Sequence, residues 1–259
     1  MLHTDVAGDG PEMVLLHGWG MHSGIWGDWL GHLQRYFRVT AVDLPGHGNS
    51  PFRGQRELGE WAAAVLDVAP SRAWWVGWSL GGLVALAAAE QARERFSGLL
   101  LLASTPKFVA DQDWMHAVDA EVFSQFSQQL EADAGRTLSR FLSLQVRCAE
   151  RGNETLRQLR GELRSRPAAD PAALCVGLRF LQECDLRPPI RGLEMPLLWL
   201  LGERDTLIPA HVARDFPAIG ATVIPGAGHA PFLSHPQQCT DYVREHLLSQ
   251  QGYGNDAAG

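Results

Sequence analysis

The sequence predicts an α/β protein: a mostly parallel sheet with helices on both faces, interrupted by a helical insertion. Three observations predict it. Short apolar runs alternate with helix-like stretches as far as Leu102. Between Lys107 and Pro189 the pattern is helical only, and apolar runs resume at Pro196. A serine flanked by glycines, in Gly77-Trp78-Ser79-Leu80-Gly81-Gly82, sits where an apolar run meets a helix-like one. Strands separated by helices imply a parallel sheet covered on both faces.

The elements follow in order. Met13-Val14-Leu15-Leu16 reads as a buried strand that ends at His17-Gly18-Trp19-Gly20. A helical pattern spans Trp26–Arg35. Arg38–Val42 reads as the next strand, closing in Asp43-Leu44-Pro45-Gly46-His47-Gly48, and a second helical pattern covers Glu57–Val68. Ala73-Trp74-Trp75-Val76 is short, apolar and aromatic, as a buried strand requires. The run from Leu83 to Glu90 is rich in strong helix formers. Leu99–Leu102 is a further strand. The insertion then reads as helices around Ala120–Ala132, Arg136–Arg147 and Asn153–Arg164, and strands return at Pro196–Leu201 and Ala221–Ile224. The expected organisation is a core of residues 1–106 and 190–248, a helical lid of 107–189 over the C-terminal edge of the sheet, and a polar, frayed tail of 249–259.

Composition sets bounds. The chain has 259 residues, 46% of them hydrophobic, which suits one large domain with an insertion. A net charge of −7 makes nucleic acid an unsuitable partner. No apolar run approaches a membrane span, and Met1–Asp5 lacks the basic start of a signal peptide. The four cysteines are scattered without a C-x-x-C pair, as expected of a reduced cytoplasmic protein. No metal-ligand cluster is visible, and the Gly-rich loops are explained below, so no cofactor is expected. A monomer is expected.

The serine is the chemical signal. Few residues separate the strand from the helix, so the chain turns sharply, and Gly77 and Gly81 occupy places where side chains would collide. A G-x-S-x-G turn between strand and helix is the nucleophile elbow of α/β-hydrolases. It exposes Ser79 and aims the Leu80 N–H at the same space. A serine hydroxyl needs a base, and the base an orienting acid. In chain order Ser, acid, His, the acid candidates are Asp205 and, as fallback, Glu203, both just after the Leu197–Leu201 run; no carboxylate occurs in Ala103–Pro106. The base candidates are His229, in a glycine loop after Ile224, and His235, which precedes Pro236 and marks a helix start. Asp205 and His229 are the choices. The second oxyanion donor is expected from the Trp19 N–H in the His17–Gly20 loop.

Four pieces lie in α/β-hydrolase order: Leu15–Gly20, Val42–Gly48, Gly77–Gly82 and Gly228-His229-Ala230-Pro231-Phe232. Together with Trp78, where most relatives carry His, and the run Arg140–Gln145, they make the chain resemble the pimeloyl-[acyl-carrier protein] methyl ester esterases of biotin synthesis, from about Val14 to Leu248. The resemblance implies that Ser79, Asp205 and His229 form the triad, that Trp19 and Leu80 contact the ester, and that Phe141, Leu142, Ser143, Leu144 and Gln145 line the acyl channel. Trp78, beside the nucleophile, is expected to shape that pocket. It further implies that Arg136, Arg140 and Arg157 hold an acidic acyl-carrier protein, with a fourth position falling on Gly161 beside Arg160. The lid is basic in an acidic chain: Arg136, Arg140, Arg147, Arg151, Arg157, Arg160, Arg164 and Arg166 cluster there. A solvated, salt-bridged helix surface would look similar. The other functional readings are a broad short-chain carboxylesterase, a C–C hydrolase with the same triad, and a non-catalytic ligand receptor of the same fold.

Overall fold

The computed structural model describes residues 1–190, 192–215 and 219–248; the expected tail from Ser249 to Gly259 lies outside them. A seven-stranded sheet runs in the order β1-β3-β2-β4-β5-β6-β7. Its strands are β1 (Thr4–Ala7), β2 (Glu12–Leu16), β3 (Arg38–Val42), β4 (Ala73–Trp78), β5 (Phe96–Leu102), β6 (Leu197–Gly202) and β7 (Gly220–Ile224). Only β1 is antiparallel, pairing Thr4 with Val42 and Ala7 with Val39; the other pairs are parallel.

The central strands are continuous apolar runs because both of their faces are buried, and alternate residues serve different layers. Val14, Leu16, Trp75, Leu99, Leu101 and Trp199 join one apolar layer. Met13, Leu15, Trp74, Val76, Trp78, Leu100 and Leu200 join the other. The first layer is covered by α2 (Leu58–Leu66), α3 (Leu80–Gln91) and much of the lid; the second by α1 (Gly27–Leu33), α9 (Pro231–Ser234) and α10 (Pro236–Val243). A 3₁₀ turn, Ser23–Trp26, occupies the start of the first expected helix, so α1 begins at Gly27.

The lid, between β5 and β6, comprises α4 (Ala120–Ala132), α5 (Ala134–Gln145), α6 (Gly152–Glu162), α7 (Pro171–Glu183) and the short α8 (Arg187–Ile190). Three of its helices start on aspartates whose carboxylates accept first-turn N–H groups: Asp119, Asp133 and Asp170, the last followed by Pro171. Phe123, Phe126, Leu138, Phe141, Leu174, Leu178 and Leu181 turn toward the sheet and bury there. Arg166, in the link between α6 and α7, leaves the basic surface read from sequence. Its guanidinium turns inward, donating to Asp5 Oδ2 (2.5 Å), Asp43 Oδ2 (3.1 Å) and Ser23 Oγ (2.8 Å).

Candidate active site

Every candidate group stands just past the C-terminal end of a parallel strand, the edge where open α/β sheets hold their ligands. His17 follows β2, Asp43 follows β3, Ser79 follows β4, Ser104 follows β5, Asp205 follows β6 and His229 follows β7.

Ser79 adopts φ 53° and ψ −119°, a left-handed conformation unusual for a residue with a side chain. Its surroundings enforce it. A Cβ on Gly81 would lie 2.2 Å from the Leu16 carbonyl oxygen, and one on Gly77 2.5 Å from the Gly81 carbonyl oxygen. The Ser79 main chain is held on both sides: its N–H donates to the Leu102 carbonyl (3.1 Å), and its carbonyl accepts the Ser104 hydroxyl (2.6 Å) and the Gly82 N–H (2.9 Å). The sequence marks Ser104 only as a small polar residue just after a strand, in the carboxylate-free stretch Ala103–Pro106.

Asp205 and His229 are joined. His229 Nδ1 lies 2.8 Å from Asp205 Oδ2, and both side chains are fully buried. Asp205 Oδ1 accepts the N–H groups of Leu207 (2.8 Å) and Ile208 (2.9 Å), which fixes the carboxylate plane. Glu203 points elsewhere: its Oε2 accepts the Gly226 N–H at 2.8 Å and its side chain is 54% exposed. His235 caps the start of α10 and contacts the Ser234 hydroxyl. With Nδ1 committed, His229 Nε2 is the nitrogen left over; it is buried and has no hydrogen-bond partner among the described residues.

Ser79 and His229 line one tight cavity with no free volume for a water molecule, together with Phe108, Phe123, Phe141, Leu181 and Leu207. The two catalytic candidates are its only polar side chains. Phe108, Phe123, Leu181 and Leu207 carried no distinguishing mark in the sequence, since many apolar lid residues could have met the serine. Of the expected acyl-channel run, Phe141 reaches the cavity. Leu142 packs into the opposite apolar layer, Ser143 is exposed with its hydroxyl on the Ser139 carbonyl (2.9 Å), and Leu144 is half-buried. Gln145 is buried and its main-chain carbonyl accepts the His229 N–H (3.0 Å). About 100° of rotation per residue sends successive helix side chains to different places. Trp78 also differs from expectation. Its indole lies away from the cavity, 5.1 Å from Phe232 and 5.9 Å from the His229 ring between centroids, and its N–H donates to the His229 carbonyl. Strand alternation explains this: Ser79 leaves the sheet at the turn, while Trp78 faces the α1 and α9 side.

The loop carrying Trp19 lies against Ser79, for a Cβ on Gly18 would stand 3.2 Å from Ser79 Cβ. Trp19 is pinned by its indole N–H on the Leu174 carbonyl (2.8 Å) and by edge contact with Phe141 (5.0 Å). Helix α7 approaches so closely that a Cβ on Gly177 would be 3.0 Å from Trp19 and 3.1 Å from Leu80. Leu80 is the first residue of α3, so its N–H is one that the helix leaves unpaired. Two buried histidines brace the loop. His17 Nδ1 donates to the Gly18 carbonyl and Nε2 accepts the Leu44 N–H; His47 Nδ1 donates to the Pro45 carbonyl and Nε2 accepts the Gly20 N–H. Burial drives the His17 pKa down to about 3 and that of His47 to about 4, so both are neutral struts.

On the outer lid, Arg136 and Arg140 stand one turn apart along a surface groove of about 700 Å³, with Gln129, Asp133 and Ser143. Arg157 borders a second groove of about 630 Å³ that meets the first at Ser143 and also carries Arg147 and Arg151. Arg140 donates to Gln129 (2.8 Å) and lies over the Phe126 ring. Among the described residues no group of three or more His, Cys, Asp and Glu is placed to hold a metal, and no helix is long and apolar enough to cross a membrane.

Comparison with known proteins agrees with this architecture. The model of the alpha/beta hydrolase family matches residues 13–241. The pimeloyl-[acyl-carrier protein] methyl ester esterase of Vibrio campbellii is 41% identical, over 94% of this chain and 97% of its own. The protein of the same name from Methylococcus capsulatus is 40% identical, over 96% and 99%. Among solved structures, an esterase from Exiguobacterium antarcticum superposes with a TM-score of 0.84 at 18% identity, covering 95% of each chain, which shows the common fold. The chain belongs to the alpha/beta hydrolase family and, within it, to the family of the pimeloyl-[acyl-carrier protein] methyl ester esterases.

Proposed function

We propose that the protein is a serine carboxylesterase that hydrolyses the methyl ester of pimeloyl-[acyl-carrier protein] in biotin synthesis, as a cytoplasmic monomer. The observation that carries the chemistry is the Asp205–His229 pair, whose histidine lines the same apolar cavity as Ser79 on its strained turn and keeps Nε2 uncommitted among the described residues. The names of the relatives support the substrate.

In this reading Ser79 Oγ attacks the ester carbonyl while His229 Nε2 takes its proton, and Asp205 stabilises the resulting imidazolium. The Trp19 and Leu80 N–H groups receive the negative charge on the carbonyl oxygen. The His229 proton then passes to the departing methoxide, releasing methanol and leaving an acyl-enzyme. Water, deprotonated by His229, attacks the acyl-enzyme, and collapse of the second tetrahedral intermediate returns the proton to Ser79 and frees the carboxylate. Phe141 and its apolar neighbours hold the acyl chain. Arg136, Arg140 and Arg157 hold the acidic carrier, whose long prosthetic arm carries the ester beneath the lid.

A second reading has one observation in its favour. The cavity beside Ser79 is tight, with no free volume for a water molecule, which suits a short acyl group and a general esterase. Assay of the purified protein on the carrier-bound methyl ester and on a free short methyl ester separates the two. The proposal expects a much higher kcat/KM on the carrier substrate, and rescue of a biotin auxotroph lacking this esterase by the wild type but not by Ser79→Ala. Equal kcat/KM on the two substrates together with failed rescue overturns it in favour of the general esterase.

A further inference from the structure

His229 has four hydrogen-bonding groups, a main-chain N–H and C=O and two ring nitrogens. Three of them are committed to three different parts of the fold. The N–H donates to Gln145 of the lid at 3.0 Å. The C=O accepts the Trp78 indole N–H from the central strand at 2.7 Å. Nδ1 meets Asp205, after β6, at 2.8 Å. Only Nε2 remains without a partner among the described residues, on a side chain that lines the cavity Ser79 shares.

The two main-chain bonds tie His229 to the end of α5 and to the central strand β4. Gln145 is the last residue of α5, so its carbonyl is one that the helix cannot pair internally, and His229 supplies the missing donor. Trp78 is fully buried and its ring is wedged between Trp26 (6.4 Å) and Phe232 (5.1 Å), so its N–H has one direction. The indole does not line the cavity, and the hydrogen bond it makes is to His229.

We propose that Trp78 is a positioning residue: its indole N–H, together with the Gln145 carbonyl, clamps the main chain of His229 so that Nε2 addresses Ser79. The proposal rests on the reading of His229 as the base. A simple packing role for Trp78 would need an indole-sized ring but not its N–H.

The test uses a short p-nitrophenyl ester and a fluorophosphonate probe of Ser79. Trp78→Phe keeps a ring in the aromatic cluster and removes the donor. The expected result is a fall in kcat of about ten- to a hundredfold with KM within about twofold, because a small misplacement of a catalytic group acts on the chemical step. The rate of Ser79 phosphonylation should fall in parallel. Trp29→Phe is the control: it thins the same cluster and removes an indole donor, the one to Thr240, without touching the His229 carbonyl, and should keep kcat within about twofold at a comparable Tm. Loss of kcat by Trp29→Phe as large as that by Trp78→Phe, or retention of wild-type kcat by Trp78→Phe, overturns the proposal. If Trp78→Phe does not fold, Gly228→Ala decides. A Cβ there would stand 2.8 Å from the Gln145 carbonyl oxygen, prising it from the His229 N–H. The same loss of kcat with KM kept is expected, and wild-type kcat overturns the clamp. Failure of the function reading looks different: His229→Ala would itself remain active.

Discussion

Arg166 of the lid and Asp43 of the core meet at 3.1 Å, and the Asp43 carboxylate they share with Ser23 and Asn49 is wholly buried. The same guanidinium reaches Asp5, so one side chain ties the α6–α7 link to β1 and to the loop after β3. Removing it strands a buried charge. Arg166→Met should lower unfolding stability by about 3 kcal/mol, measured by urea denaturation at neutral pH. The effect has a pH signature. Burial alone would raise the Asp5 carboxyl, but hydrogen bonds from Arg166 and Ser23 and the Arg166 charge outweigh it and hold the pKa below its ordinary 3.8. A depressed carboxyl stabilises the fold above its unfolded pKa and ceases to do so as pH falls through the folded one. The gap between wild type and Arg166→Met should therefore be flat from neutral pH down to about 5 and narrow below 3.8. A gap that widens in acid would remove this account.

Ser79→Ala and His229→Ala should each lower kcat on a short p-nitrophenyl ester by about 10⁴-fold or more, with circular dichroism unchanged. His235→Ala should retain most activity, because that ring contacts Ser234 and lies outside the cavity. An inactive His235 variant beside an active His229 variant would reverse the assignment of the base.

Phe123→Leu should move the chain-length preference upward. Phe123 lines the cavity and is buried, so the smaller side chain leaves room for added methylenes, each worth about tenfold or more in a fitted apolar pocket. The ratio of kcat/KM for hexanoyl over acetyl p-nitrophenyl esters reads this directly. A ratio equal to that of the wild type would show that the acyl chain runs elsewhere.

Reversal of Arg136, Arg140 and Arg157 to Glu should reduce kcat/KM on the carrier-bound ester by roughly tenfold or more, while a small methyl ester is hydrolysed as before. Wild-type kcat/KM on the carrier substrate should fall with added salt, as screening shortens the range of steering. Equal losses on both substrates, with no salt dependence, would assign these arginines to solubility.

Much of this was legible in the sequence because the strands are buried on both faces and so read as unbroken apolar runs. Five strands, β2 to β6, follow from that signal, and β7, an edge strand exposed along most of its length, from its β-branched Thr222, Val223 and Ile224. The exception, β1, is an edge strand with polar Thr4 and Asp5 and no buried residue, so no apolar pattern marks it. The Ser79 turn announced itself because its glycines answer to backbone contacts as short as 2.2 Å. The lid was harder. Its helices have apolar faces, but periodicity does not say which of those residues reaches the serine, and Phe108, Phe123, Leu181 and Leu207 look like any others. Consecutive positions from Phe141 to Gln145 share a stretch of sequence but not a direction. Arg166 looked like a member of a basic surface because nothing local tells an inward arginine from an outward one; its partners lie as far away as Asp5.

The hydrogen bond from His229 to the last carbonyl of α5 bears on how this family can diversify. An inserted lid looks like an exchangeable cassette, free to be swapped for another binding specificity while the sheet keeps the chemistry. Here a graft with a break between β5 and β6 would also remove the acceptor that the His229 N–H requires. Only donors whose incoming helix ends at the same height, with a carbonyl facing β7, would yield an active chimera. Recombination of lids should thus be constrained at one helix terminus more tightly than anywhere along the groove beside Arg136 and Arg140.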